Sequence, residues 1–139
     1  MFTSDDVCDL VQIDLARVRK IRAALVSPAA VEGLADTFSA LGDPTRVRIL
    51  DALSHGELCV CDLAAVLRLS QSAVSHQLRL LKGQRLVRPR RDGRMVFYAL
   101  DDRHIMSLFR QALDHVVEDQ GSGVRDQGST KRRFAGRGR

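Results

Sequence analysis

The chain has little of what would mark a membrane protein, a secreted protein or an enzyme. No stretch of its 139 residues approaches the roughly 18 consecutive apolar residues needed to cross a bilayer. Its opening, Met-Phe-Thr-Ser-Asp-Asp, is acidic where a signal peptide would be basic. Only three cysteines are present, Cys8, Cys59 and Cys61. That is too few for a disulfide framework, and in a chain expected to stay in the cytoplasm such thiols serve as metal ligands, reactive groups or small buried side chains. There is no nucleophile motif, phosphate-binding loop or open three-ligand catalytic zinc pattern, so neither an enzyme nor a small-molecule substrate is expected. No internal repeat is found. What remains is a hydrophobic fraction of 45%, enough for one domain with a real core.

Charge is unevenly spread. The formal net charge is +5. From Gln120 onward, six basic residues face one acid, Asp126, and almost no apolar residue interrupts them, so residues 120–139 are expected to be a disordered basic tail. Between Arg68 and Arg94, eight basic residues face only Asp92. A segment so electropositive is either a solvated surface or the footprint of phosphate contact.

Apolar periodicity places that segment in a fold. Val11, Leu15, Val18, Ile21 and Leu25 form one helical stripe that should end near Ser27-Pro28. Val31, Leu34, Ala35, Phe38 and Leu41 form a second, closed by Gly42. "DPTRVRILDALSHG" opens with Asp43 as a cap and Pro44 at the first helical position, runs through Val47, Leu50 and Leu53, and stops at Gly56. After the cysteine pair, two short helices are expected around Ser70. The first begins at Cys61 or Asp62, and the second buries Ala73, Val74, Leu78 and Leu81. Two short helices with a tight turn, the second polar and basic on its free face, read as a helix-turn-helix. "VRPRRDGRMVFYAL" then carries Asp92-Gly93 between strand-forming residues, a hairpin turn signal in which both residues can take positive φ. A final helix from about Asp102 to Asp119 presents Ile105, Leu108, Phe109, Ala112, Leu113 and Val116 on one broad face, more than a small domain needs at its end. The expected fold is mainly α: a winged helix-turn-helix of five or six helices with a β-hairpin wing.

Taken together, "ALGDPTRVRILDAL", "ELCVCDLA", "LSQSAVSHQLRLLKGQRLVRPRRDGR" and "HIMSLFRQALDH" resemble the ArsR/SmtB family of metal-sensing repressors, and within it the CadC-type lead, cadmium and zinc sensors. The resemblance runs from about Cys8 to Glu118. It implies a homodimer that sits on double-stranded operator DNA without metal and leaves when metal binds. It also implies a sensor domain over residues 1–119, with an N-terminal arm and a C-terminal dimerisation helix, followed by the basic tail.

Residue chemistry agrees with that implication. Gln71, Ser72, Ser75 and His76 fall on the opening turns of the second helix, where side chains reach base edges in a major groove. Arg79, Arg91 and Arg94 suit phosphate contacts, which position without specifying sequence. On the final helix Asp102, His104, His115 and Glu118 have zinc-like donor chemistry, but His104 and His115 are separated by roughly 16 Å of helix axis, too far for one ion. Two antiparallel copies can bring Asp102 and His104 of one protomer to His115 and Glu118 of the other, and the resemblance implies such a site for zinc.

Cys59 and Cys61 can bind one soft ion as thiolates but need further ligands. The resemblance implies Cys8 of the opposite protomer as the third. CadC-type sensors often carry another cysteine four residues after it, where this chain has Gln12. Three thiolates suit lead(II), bismuth(III) or arsenic(III) better than a closed four-sulfur cadmium or zinc site, unless Asp9, Asp14 or water adds a ligand. Three other readings stand beside this one: a cysteine packed as a small hydrophobe, a thiol redox sensor on the same fold, and a zinc sensor that uses the final helix alone.

Overall fold

The computed structural model describes Cys8 and residues 10–135, with side chains as far as residue 120. Its elements run α1 (Leu15–Ala24), α2 (Pro28–Leu41), α3 (Pro44–Ser54), β1 (Leu58–Cys59), α4 (Val60–Leu67), α5 (Gln71–Gly83), β2 (Val87–Asp92), β3 (Met95–Leu100) and α6 (Arg103–Ala135). Two compact units divide at residue 35.

In the first unit α1 starts at Leu15 because the Asp14 carboxylate accepts the Arg17 N–H at 3.0 Å. Val11 therefore lies outside the helix that its spacing suggested. None of the α1 residues is buried, and Leu15, Ile21 and, just past the helix, Leu25 are 54 to 67% exposed. Among the described residues this apolar stripe is left exposed.

The second unit holds the core. Asp43 caps α3 through the Arg46 N–H at 3.0 Å, and Pro44 follows at the first helical position, where its missing N–H costs no hydrogen bond. Ile49, Leu50 and Leu53 of α3 meet Leu63, Ala64 and Leu67 of α4 and Val74, Leu78 and Leu81 of α5. Val87 and Leu100 close the cluster from the sheet, with Leu86 just before β2. Each such fully buried aliphatic side chain contributes about 1.5–3 kcal/mol. Val47 and Ala73, expected inside, are exposed, because the inward arc of each short helix is narrower than the apolar stripe drawn from spacing.

The turn between α4 and α5 is compact. Arg68 takes a left-handed φ of 55°, and the Arg48 guanidinium donates to the Leu67 carbonyl at 2.8 Å, satisfying an end of α4. Ser70 then caps α5 through the Ala73 N–H at 3.0 Å. The pair is the expected helix-turn-helix.

The wing differs from expectation in two ways. It is a three-stranded sheet in the order β1-β3-β2, because Leu58 and Cys59 pair with Tyr98 and Phe97. Its turn also sits one residue later than Asp92-Gly93. Asp92 pairs with Met95, leaving Gly93 and Arg94 as the loop, and only Gly93 has positive φ, at 58°. Glycine alone at the first loop position is the II′ pattern rather than I′. Pro89 is accommodated because β2 is an edge strand.

The final helix begins at Arg103 as expected but its backbone stays helical past Asp119 to Ala135. No proline interrupts residues 120–135. The tail was expected to be disordered from residue 120; its last four residues lie outside those described. Ile105, Met106 and Phe109 pack on the core, whereas Leu113, Val116 and Val117 are 46 to 57% exposed. Among the described residues no helix is long and apolar enough to cross a membrane.

Candidate nucleic-acid interface and metal-ligand clusters

Helix α5 turns Val74, Leu78 and Leu81 into the core, which sends its other residues outward by periodicity. Gln71, Ser72, His76 and Arg79 are exposed, and Ser75 is half-buried. The residues expected to read bases thus share the free face and N-terminal turns of one helix anchored by three buried aliphatic side chains. On the wing, Arg91 lies in β2 and Arg94 at the hairpin tip, both exposed.

The two cysteines of "ELCVCDL" have different fates. Cys59 is 2% exposed, ends β1 and caps α4, its Sγ accepting the Asp62 N–H at 3.4 Å. Helix α4 therefore starts at Val60, earlier than Cys61 or Asp62, because a thiol takes the capping role. Cys61 is exposed on the first turn of α4, and Cys8 is exposed as well. All three are free thiols. The packed-hydrophobe reading thus fits Cys59 by burial, but its Sγ is also engaged as the cap of α4.

On α6 the Asp102 carboxylate is the helix cap: Oδ1 accepts the N–H groups of His104 at 2.7 Å and Ile105 at 3.1 Å. The Ile105 N–H, followed by that of His104, holds the Asp102 carboxyl below its ordinary range. His104 Nδ1 stands 3.4 Å from the same oxygen. Asp102 and His104 are therefore together, while His115 and Glu118 lie exposed three turns further along α6. Among the described residues no three His, Cys, Asp or Glu side chains gather in one chain. Each candidate set is incomplete within a protomer, as the helix-axis distance requires of the second.

Reasoning from sequence missed Glu57, Arg90 and Phe97. The Arg90 guanidinium donates to Glu57 from Nε at 3.1 and 3.2 Å and from a terminal nitrogen at 2.5 Å, and lies 4.8 Å over the Phe97 ring. Hydrogen bonding from Arg90 holds the Glu57 carboxyl below its ordinary range. Position next to the cysteines was a signal for Glu57. Nothing in spacing alone could pair it with a residue 33 places later.

Comparison with known proteins gives a consistent picture. The profile of a bacterial regulatory protein, arsR family, matches residues 43–88, from the cap of α3 to the start of β2. A transcriptional repressor SmtB homolog from Synechocystis is 49% identical over 112 residues, spanning 81% of this chain and 85% of that protein. A cadmium resistance transcriptional regulatory protein CadC homolog from Staphylococcus aureus is 39% identical over 114 residues, spanning 81% and 93%. Among solved structures, a homodimeric winged helix-turn-helix DNA-binding domain from Mycobacterium bovis superposes with a TM-score of 0.60 at 32% identity, covering 67% of this chain and 84% of that one.

Proposed function

Given that the chain belongs to the ArsR family of bacterial regulatory proteins, we propose that it represses transcription as a homodimer on operator DNA and lets go when its cysteines capture lead(II), cadmium(II) or zinc(II). Metal-responsive repression of the ArsR/SmtB type, and not enzymatic activity, is what its relatives share. The regulated genes would serve metal efflux or resistance, and the protein would work in the cytoplasm. Residues 1–119 would form the sensor and 120–139 a basic extension.

The observation that carries this reading is the seat of Cys59. Its Sγ caps α4, the first helix of the helix-turn-helix, with exposed Cys61 one residue inside. Two thiols at that point suit a soft ion, and Cys8 contributed across the dimer would make a third. A soft ion held there would be bound as thiolates, with release of their protons. Drawing Cys59 toward it competes with the cap to Asp62 and so acts on the start of α4, the first helix of the helix-turn-helix. Gln71, Ser72, Ser75 and His76 would face bases, and Arg79, Arg91 and Arg94 phosphates.

Dimerisation is supported by apolar surface left open at both ends of the chain, Leu15, Ile21 and Leu25 at one and Leu113, Val116 and Val117 at the other. A second copy is the ordinary way to cover such stripes in a regulator that reads a two-fold operator. A zinc reading of α6 is favoured by one specific contact, Asp102 to His104 at 3.4 Å. It requires His115 and Glu118 from the second copy.

The test begins with a duplex selected from a random library by the metal-free protein. That duplex should contain two half-sites about one helical turn apart. Lead, cadmium, zinc and arsenite are then titrated in separate arms. Release at micromolar free metal or below supports the proposal; a complex that survives all four contradicts it.

A further inference from the structure

The wing carries an internal tie that reaches the cysteine strand. Cys59 is paired directly with Phe97, and Phe97 is paired directly with Arg90, so one row crosses all three strands. Residues directly opposite in antiparallel strands share a face, and Glu57 is on that same face two places before Cys59. Arg90 closes the row into a loop: it is stacked over Phe97 and grips the Glu57 carboxylate through two nitrogens. Arg91, the next residue, pairs with Val96 and projects to the other face. The wing therefore sorts its arginines, with Arg90 turned to the cysteine strand and Arg91 away from it.

Resting on the metal-sensing reading, we infer that the Glu57–Arg90 ion pair couples the cysteine site to the wing, so that displacement of Cys59 is passed to β2 and to the phosphate contacts on its opposite face. The pair is suited to this because it joins segments that are distant in sequence at the one place where β1 ends in a candidate ligand. A planar guanidinium held by both a carboxylate and a ring transmits direction as well as attraction, which a lysine ammonium cannot. Glu57 and Arg90 are positioning residues here. They need touch neither metal nor DNA.

The experiment compares wild type, Glu57→Gln and Arg90→Lys on the same selected duplex, with and without lead. Metal binding is followed separately by thiolate-to-metal absorbance. In Glu57→Gln, lead should bind within about twofold of wild type and the metal-free operator affinity should stay within about threefold. The factor by which lead weakens operator binding should shrink about fivefold, the scale of one well-formed surface ion pair. Arg90→Lys should fall between. Without metal, amide exchange at Arg90 and Phe97 should quicken about fivefold in Glu57→Gln, as expected if the row is one unit. If lead still weakens operator binding by the wild-type factor in Glu57→Gln, the coupling role is overturned while metal sensing stands. A wild-type chain released by no metal overturns both.

Discussion

The two candidate metal sites differ in how deeply they are built into the fold. Cys59 is buried, ends a strand of the wing and caps the first helix of the helix-turn-helix, so it cannot shift without disturbing both elements. Asp102, His104, His115 and Glu118 are exposed at the cap and along the outer side of one long helix, and among its described side chains it is those of the first turns that pack on the core. A ligand wired into the core of a protomer can signal within that protomer. A ligand on an exposed helix can signal only through whatever it gathers from a second copy. The two candidate ligand sets thus stand in opposite mechanical settings.

Cys61→Ser is the sharpest way to separate them. It removes an exposed thiol that caps nothing, so stability should change by less than about 0.5 kcal/mol. Lead-triggered release should nonetheless be lost, a change of at least about a hundredfold in the metal-dependent factor, the upper part of the usual range for such coupling. Binding isotherms with and without lead, alongside a thermal melt, check both halves. Cys59→Ser should lose release as well while keeping a capping acceptor, since serine is a favoured cap.

Next in size is the interface. Gln71→Ala should weaken selected-duplex binding by about 1–3 kcal/mol and relax the base preference at one position, measured by competition with single-base variants. Arg91→Ala should weaken all duplexes alike and lower the slope of log affinity against log salt by about one. Neither should alter metal affinity in the absence of DNA, since neither touches the cysteine corner.

The smallest expected effect separates the two roles of Asp102. Asp102→Ala removes the cap and should cost about 1 kcal/mol in a denaturant melt, while Asp102→Asn keeps a capping oxygen and should cost less than half of that. Both lose the carboxylate. A zinc response that vanishes equally in both identifies a ligand; one that tracks the melt identifies a cap. Because hydrogen bonds hold the Asp102 carboxyl below its ordinary range, its contribution is present above the unfolded carboxylate range and is lost as pH falls through the depressed value. Acidification should therefore erode the difference between wild type and Asp102→Ala.

Much of the DNA-reading unit was legible in the sequence because it is written in the period of the helix. Val74, Leu78 and Leu81 sit four and three apart behind Ser70, a residue type that caps, and this suffices to place α5. Strand β1 was not legible: two residues have no period, and its existence depends on Tyr98 and Phe97 nearly 40 positions away. The wing turn slipped by one residue because Asp-Gly favours one turn type locally, whereas pairing along six residues of β2 and β3 decided the register. For the metal sites, ligand types and spacings were readable, but burial was not. Nothing in "ELCVCDL" distinguishes the cysteine that enters the core from the one that faces solvent, and nothing in one chain can bring the two ends of α6 together.

The central claim is that capture of a soft ion at Cys59 and Cys61 is what removes this protein from DNA. It is tested most directly by fluorescence anisotropy of a labelled selected duplex during a lead titration, run in parallel on wild type and Cys61→Ser with thiolate-to-lead absorbance recorded in the same cuvette. Anisotropy that falls in step with the absorbance in wild type, and stays high in Cys61→Ser, is the predicted result. Release that proceeds equally in both proteins would contradict it.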